Sequence, residues 1–272
     1  MLKKRIIFTL LFDNGYFVLS RNFRLQKVGN LEWLQRNYNF SDVAFHIDEL
    51  VVLDVSRGQR NPDAFCAVLE KISEGCFAPI SAGGGIISFD YARQLLRSGA
   101  DKIVVNSALI EQPALIRAVA ENFGRQCIIG SIDLSANGPD GYSVFIKNGQ
   151  TKVDMSVDDA LSFCLDDNIG ELYLNSIDRD GTGQGYDFGM LDFLPRDLSL
   201  PIILAGGVGK PEHFFKGLAN DRVDAVATAH LFNFIGNGLK IARRALSEEG
   251  INLAEWPDKT CKHQVREVRT DI

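Results

Sequence analysis

The densest chemistry in this chain lies at 169–187, IGELYLNSIDRDGTGQGYD. Asp178 and Asp180 bring carboxylates, Thr182 a hydroxyl, and Gly181, Gly183 and Gly185 a backbone that a ligand can approach closely. The apolar run just before them reads as a buried strand, so the turn predicts a site at the carboxyl end of a parallel sheet. The plan recurs. Asp54 ends IDELVVLD and Asp133 ends CIIGSID, and a carboxylate at such a position serves as general acid or base if its surroundings tune it. Glycine turns at 83–85 and 206–207 follow short strands, so the backbone N–H groups about Gly84, Gly85, Gly206 and Gly207 could cradle phosphate oxygens. Asn106 and Ser107, with Ala229 and His230, end the neighbouring strands. Two such cradles suit an elongated ligand with a phosphate at each end.

Eight apolar segments must hold these residues: 5–11, 47–54, 79–82, 102–108, 127–133, one around 172–174, 201–207 and 223–229. Segments of helical character alternate with them, at 31–39, from Asn61-Pro62 onward, at 88–97, 113–123, 157–166, 188–193, 211–219 and 239–249. The alternating run at 142–153, broken by Lys-Asn-Gly, reads as an inserted hairpin, and 12–29 as a turn followed by a loop. Eight strand–helix alternations over roughly 250 residues give a (β/α)8 TIM barrel spanning 1–251, with 252–272 as a C-terminal extension.

The barrel reads as two fused copies of one half. Glu49 matches Glu171 and Pro79 matches Pro201 at one offset of 122 residues, and Arg5-Ile6-Ile7 matches Cys127-Ile128-Ile129 at the same offset. Matching strand ends therefore face each other across the mouth. At the opposite face, Arg5, Glu49, Lys102 and Glu171 begin strands one, two, four and six, where they could form a ring of salt bridges around the axis.

A net charge of −6 leaves no electrostatic footprint for nucleic acid or an anionic membrane. No apolar run is long enough to span a bilayer. Five scattered cysteines without a C-x-x-C pair suggest reduced thiols and a cytoplasmic protein. The four histidines lack ligand spacing, so neither a metal nor another cofactor is expected.

The segments KRII (4–7), DELVVLD (48–54), GGGI (83–86), GADK (99–102), SIDRDGTGQGYD (176–187) and AGGVGK (205–210) resemble HisF, the cyclase subunit of imidazole glycerol phosphate synthase, with the likeness reaching about Ile251. That resemblance implies a HisH-like glutaminase partner docking at Asp101. It implies ammonia passing a gate of Arg5, Glu49, Lys102 and Glu171 to a bis-phosphorylated acceptor at the mouth. It also implies an acid/base pair of aspartates, of which Asp133 is the second. The first falls on Leu11, with Asp13 two residues on as a replacement acid on the same side. A lysine of the family's first loop falls on Leu19, a Thr and a Ser of the mouth on Asn175 and Ala205, and a phosphate-binding Ser on His230.

These departures leave either imidazole glycerol phosphate synthase-type chemistry with a relocated acid, Asp13, or an ammonia-using enzyme with altered chemistry. Diverged relatives resemble components that amidate cell-surface sugars such as those of lipopolysaccharide. The alternative is a non-catalytic conduit that passes ammonia to a third amidotransferase protein.

Overall fold

The structure is a computed structural model that describes residues 3–37, 43–138, 141–164, 168–196, 198–229 and 238–255. The first strand, β1 (Arg5–Asp13), is RIIFTLLFD, apolar on both faces because both are covered. Ile6, Phe8, Leu10 and Phe12 pack outward in the larger core, whereas Ile7 belongs to a second cluster inside the barrel. Parallel strands β4 (Glu49–Asp54), β5 (Ile80–Gly83), β6 (Lys102–Val105), β7 (Ile128–Ala136), β10 (Glu171–Ser176), β11 (Ile202–Ala205) and β12 (Ala225–Thr228) obey the same rule. Pairing runs from β1 through β4, β5, β6, β7, β10, β11 and β12 and returns to β1, which closes a (β/α)8 barrel.

The repeat reappears in the hydrogen bonds. Ile80 N donates to Asp101 Oδ2 at 2.8 Å, and Ile202 N donates to Asp224 Oδ2 at 2.9 Å. Leu50 N donates to Pro79 O as Leu172 N does to Pro201 O, both at 2.9 Å. Each half begins its strands with the same set of contacts.

Two segments depart from the sequence reading. The stretch expected as a loop is a hairpin of β2 (Tyr16–Arg21) and β3 (Arg24–Gly29), and β1 runs on to Asp13 to pair with it. Asn14 and Gly15 have positive φ (45° and 90°), as do Asn22 and Phe23 (49° and 61°), so both turns take the left-handed geometry that joins twisted strands. The fourth barrel strand stops at Val105, and Ser107 starts a short helix (Ser107–Glu111). The inserted hairpin is present as β8 (Tyr142–Ile146) and β9 (Thr151–Lys152), with Lys147 and Asn148 at positive φ.

Chain beyond residue 251 stays with the barrel rather than leaving it there. Lys4 N donates to Asn252 O at 2.9 Å, and Leu253 is buried. Arg243, in the closing helix (Gly238–Glu248), grips the Asp48 carboxylate through both nitrogens at 2.8 and 2.9 Å and also donates to Ala254 O. Residues 256–272, the bulk of the expected extension, lie outside the described residues. Among the described residues, no helix is long and apolar enough to cross a membrane.

Asp48 also accepts from Ile6 N at 2.8 Å. Removing one partner of a buried pair leaves the other desolvated, so Asp48→Ala should cost about 3 kcal/mol. A urea denaturation curve should show the lowered midpoint; an unchanged midpoint would count against this clasp.

Candidate functional site

At the amino-terminal face, four side chains close a ring across the barrel axis. Arg5 meets Glu49 Oε2 at 3.2 Å and Glu171 Oε2 at 2.5 Å, while Lys102 Nζ meets Glu49 Oε2 at 3.0 Å and Glu171 Oε1 at 2.5 Å. Each belongs to the first residue of its strand, which is why strand starts rather than loops define the ring. Ser81 Oγ donates to the remaining Glu49 oxygen. Burial alone would lower the pKa of Lys102, but the charges of Glu49 and Glu171 overcome it and raise the pKa. Burial likewise opposes ionisation of Glu171, and the Arg5 hydrogen bond with the Arg5 and Lys102 charges more than reverses it. Arg5, Lys102 and Glu171 are each held in their charged form because each faces opposite charge on two sides.

Above the ring the bore is apolar, lined by Ile7, Val51, Val104, Ile129, Ile203 and Ala225. Tyr173 lies among them, buried, with its hydroxyl 3.4 Å from Thr9 Oγ1. Along β10, Glu171, Tyr173 and Asn175 alternate inward, taking the chain from ring to bore to mouth.

The mouth is a cavity of about 530 Å³, within the usual range for a small-molecule site. It gathers most of the residues expected from sequence. Asp54, Gly84, Gly85, Asn106 and Ser107 line the first-half wall, and Asp133, Asn175, Asp180, Gly181, Gly206, Gly207 and Ala229 the rest. Gly84 and Gly206 are required by packing as well: a Cβ on Gly84 would stand 2.1 Å from Asp54 O, and one on Gly206 2.6 Å from Ser176 O.

Asp133 is the best-tuned group in the cavity. Burial pushes its carboxyl up to about 7; the Asn175 amide, donating at 3.0 Å, acts against that rise, and the Asp180 charge adds to it. Near neutrality it can therefore both take and give a proton. The Asp180 carboxyl is also raised by burial, while Ser20 Oγ at 2.5 Å and Phe23 N at 3.0 Å favour its charged form. Those bonds tie the β2–β3 hairpin over the mouth as a roof. Asn22 reinforces the tie, its backbone N–H donating to Asp180 O and its side chain to Asp178 O.

Other candidates are placed elsewhere. Asp178 accepts from Ser135 Oγ and Ala136 N, so it anchors β7 instead of facing the mouth. Thr182 Oγ1 donates to Arg179 O inside its own turn and does not line the cavity. Asp13 sits at the tip of β1, accepts from the Asn14 side chain and also stays off the cavity wall. Leu11 and Leu19 do line it, so aliphatic side chains occupy that corner. Asp101 is exposed on the ring face, one oxygen taken by Ile80 N. His230 lies outside the described residues.

The sequence reading missed the cations. Arg21 and Arg24 on the roof, Arg57 and Arg60 after β4, and Lys147 on the β8–β9 hairpin all line the mouth. VSRGQR directly after Asp54 was the available signal, since basic residues following a strand end fall at the rim.

Fold and site together define a half-duplicated (β/α)8 barrel whose ligand cavity opens at the carboxyl ends of its strands. Residues 26–236 match the family model described as histidine biosynthesis protein. A Parasynechococcus marenigrum (strain WH8102) relative named "Putative imidazole glycerol phosphate synthase subunit hisF2" is 45% identical over 258 residues, covering 94% of this chain and 96% of that one. The "Imidazole glycerol phosphate synthase subunit HisF" of Clostridium botulinum (strain Okra / Type B1) is 35% identical over 255 residues, with coverage of 93% and 99%. Its namesake from Dictyoglomus turgidum is 34% identical over 252 residues, with coverage of 92% and 98%. The chain belongs to the histidine biosynthesis protein family and, within it, to the HisF-type subunits.

The raised Asp133 carboxyl sets a stability test. The native state holds this proton more tightly than the unfolded chain, so stability falls as pH rises from about 4 and levels off above about 7. Asp133→Asn removes that loss and should stabilise by on the order of 2–4 kcal/mol more at pH 8 than at pH 4. Melting temperatures at the two pH values report it; a gain independent of pH would mean that Asp133 titrates normally.

Proposed function

We propose that this chain is the acceptor-side subunit of a glutamine amidotransferase, using ammonia that enters through the barrel floor. The observation that carries this reading is the ion-paired ring. A purely structural floor has no need of two buried carboxylates and two half-buried cations meeting on the axis, whereas a breakable set of ion pairs can pass a small polar molecule. A HisH-like glutaminase docks on that face, where Asp101 is exposed, and releases ammonia beneath the ring. Parting one Lys102 contact, to Glu49 or Glu171, opens a path into the apolar bore, which carries neutral ammonia and rejects ammonium.

At the mouth ammonia attacks an electrophilic carbon of an anionic, phosphorylated acceptor. Asp133 as carboxylate removes the proton that the attacking nitrogen sheds, and as acid returns it to the departing oxygen. The roof and Asp180 keep water out during both transfers.

Imidazole formation in the HisF family uses a second aspartate where this chain has Leu11. A single tuned acid suits a simpler amidation, and we assign the acceptor to a surface-sugar pathway rather than to the histidine intermediate. Leu11 and Leu19 also favour a second reading, in which the chain only conducts ammonia to a third amidotransferase protein. In that case Asp133→Asn would leave the complete system's rate unchanged.

Lys102→Ala should change the glutamine-dependent rate by roughly tenfold while the rate with added ammonium salt moves less than about twofold. Equal effects on both rates would remove the gate.

A further inference from the structure

Tyr173 is the largest side chain of the inner cluster, and it reaches from one wall of the bore to another. It projects from β10, and its hydroxyl stands 3.4 Å from Thr9 Oγ1 on β1. Strands β11 and β12 lie between those two, so the contact spans three of the eight steps around the wall. A side chain bridging that chord crosses the lumen instead of lying along its own strand. The intervening strands make room for it, because Ala205 on β11 and Ala225 and Ala227 on β12 are small members of the same cluster.

The ring of Tyr173 closes the bore from above. Thr9, Tyr173 and Ala227 line the mouth cavity, whereas Ile7, Ile203 and Ala225 of the inner cluster do not. The cavity thus ends at the tyrosine, and a packed layer separates it from the charged floor.

The phenol feels both ends of the barrel. Burial raises its pKa, the Thr9 contact works against that rise, and the charges of Asp133 and Asp180 at the mouth and Glu49 at the floor add to it. It is therefore a neutral hydroxyl placed partway along an apolar route. Its tie to Thr9 is loose, since paired hydroxyls normally stand at about 2.7–2.8 Å. A hydroxyl is one donor and two acceptors, so this pair keeps capacity for a guest. Tyr186, also buried, differs in spending its hydroxyl on Ala227 O at 3.2 Å.

We propose that Tyr173 and Thr9 form an ammonia-binding station at the upper end of the bore, the phenol donating to the ammonia nitrogen and Thr9 Oγ1 accepting from it. Ammonia entering the gap parts the two hydroxyls, and the phenol swings along the alanine side of the wall to release it beside Asp133. Ammonium is refused, because it has no lone pair for the phenol and would bring a charge against apolar side chains. The station rests on the reading that ammonia crosses the barrel, and it adds a second, neutral gate above the charged one. Two closures in series keep the bore shut to water while either one opens.

NMR of the full chain labelled with ¹³C at tyrosine Cζ tests this with ammonium chloride as the probe, without the glutaminase or the acceptor. The chain has six tyrosines, and Tyr173→Phe identifies the signal by its loss. In alkaline buffer, where part of the salt is ammonia, the Tyr173 signal should shift saturably relative to sodium chloride of equal strength. In mildly acidic buffer, where nearly all of it is ammonium, the two salts should act alike. Thr9→Val should weaken the alkaline response about fivefold, the loss of one hydrogen bond. Thr9→Ala carries that comparison should Thr9→Val fail to fold. Asp133 changes charge between the two buffers, so the pair of titrations is repeated in Asp133→Asn, where the shift should persist.

A Tyr173 signal that ignores ammonia, follows the salt equally in both buffers, or responds alike with and without the Thr9 hydroxyl would overturn the station. So would a response that Asp133→Asn abolishes, since it would come from a cation held at the mouth. Failure here leaves the Lys102→Ala rates standing as the test of the route. Equal effects on those rates would remove the route and leave this ammonia site in place.

Discussion

Four charges meeting on one axis constrain this barrel more than any other contact. Ions taken from water are tolerated only when each is paired, and here each cation bridges two carboxylates and each carboxylate two cations. A purely apolar floor of the same size would be at least as stable. The ring therefore makes most sense as a seal that can open, because exchanging one ion pair costs far less than unpacking a core layer. From it follow the inward rows along the strands, the apolar bore above it and, in the proposed function, the separation of a floor that admits a nucleophile from a mouth that holds its target.

The duplication explains the paired carboxylates of the ring, while its two cations belong to one half only. A half-barrel that starts its second strand with Glu supplies Glu49 and Glu171 together, and the strand-start hydrogen bonds to Asp101 and Asp224 follow the same pattern. Backbone features remain matched, as Gly84 and Gly206 show by each standing against the carbonyl of a neighbouring strand. Side chains have drifted: Arg57, Arg60 and Lys147 line the cavity, whereas Arg179, close behind Gly207, turns to Gln184.

Much of this was legible before any coordinates. Apolar runs of strand length alternating with helix patterns gave the barrel, because a parallel strand must be covered on both faces and its sequence shows that directly. Ring residues were readable because they open strands whose positions the repeat fixes. The hairpin at 16–29 was not, since its alternation is weak and its register depends on left-handed turns at Asn14-Gly15 and Asn22-Phe23. Asp178 and Thr182 were misread for a related reason: in a glycine-rich turn, only the folded backbone decides which polar groups face the ligand and which bind the turn itself. The arginines at the rim escaped notice because their reach crosses from one loop to another.

The central claim is that floor and mouth are joined by a closed passage, and isotope retention tests it most directly. Glutamine labelled with ¹⁵N in its amide would be supplied to the complete enzyme in a large excess of unlabelled ammonium salt, and the label in the aminated product measured at limited turnover. A sealed route predicts that product nitrogen comes mainly from glutamine despite the excess outside. Product label diluted to the bulk ratio would mean that ammonia reaches the mouth through solvent, and the ring would then be only a floor.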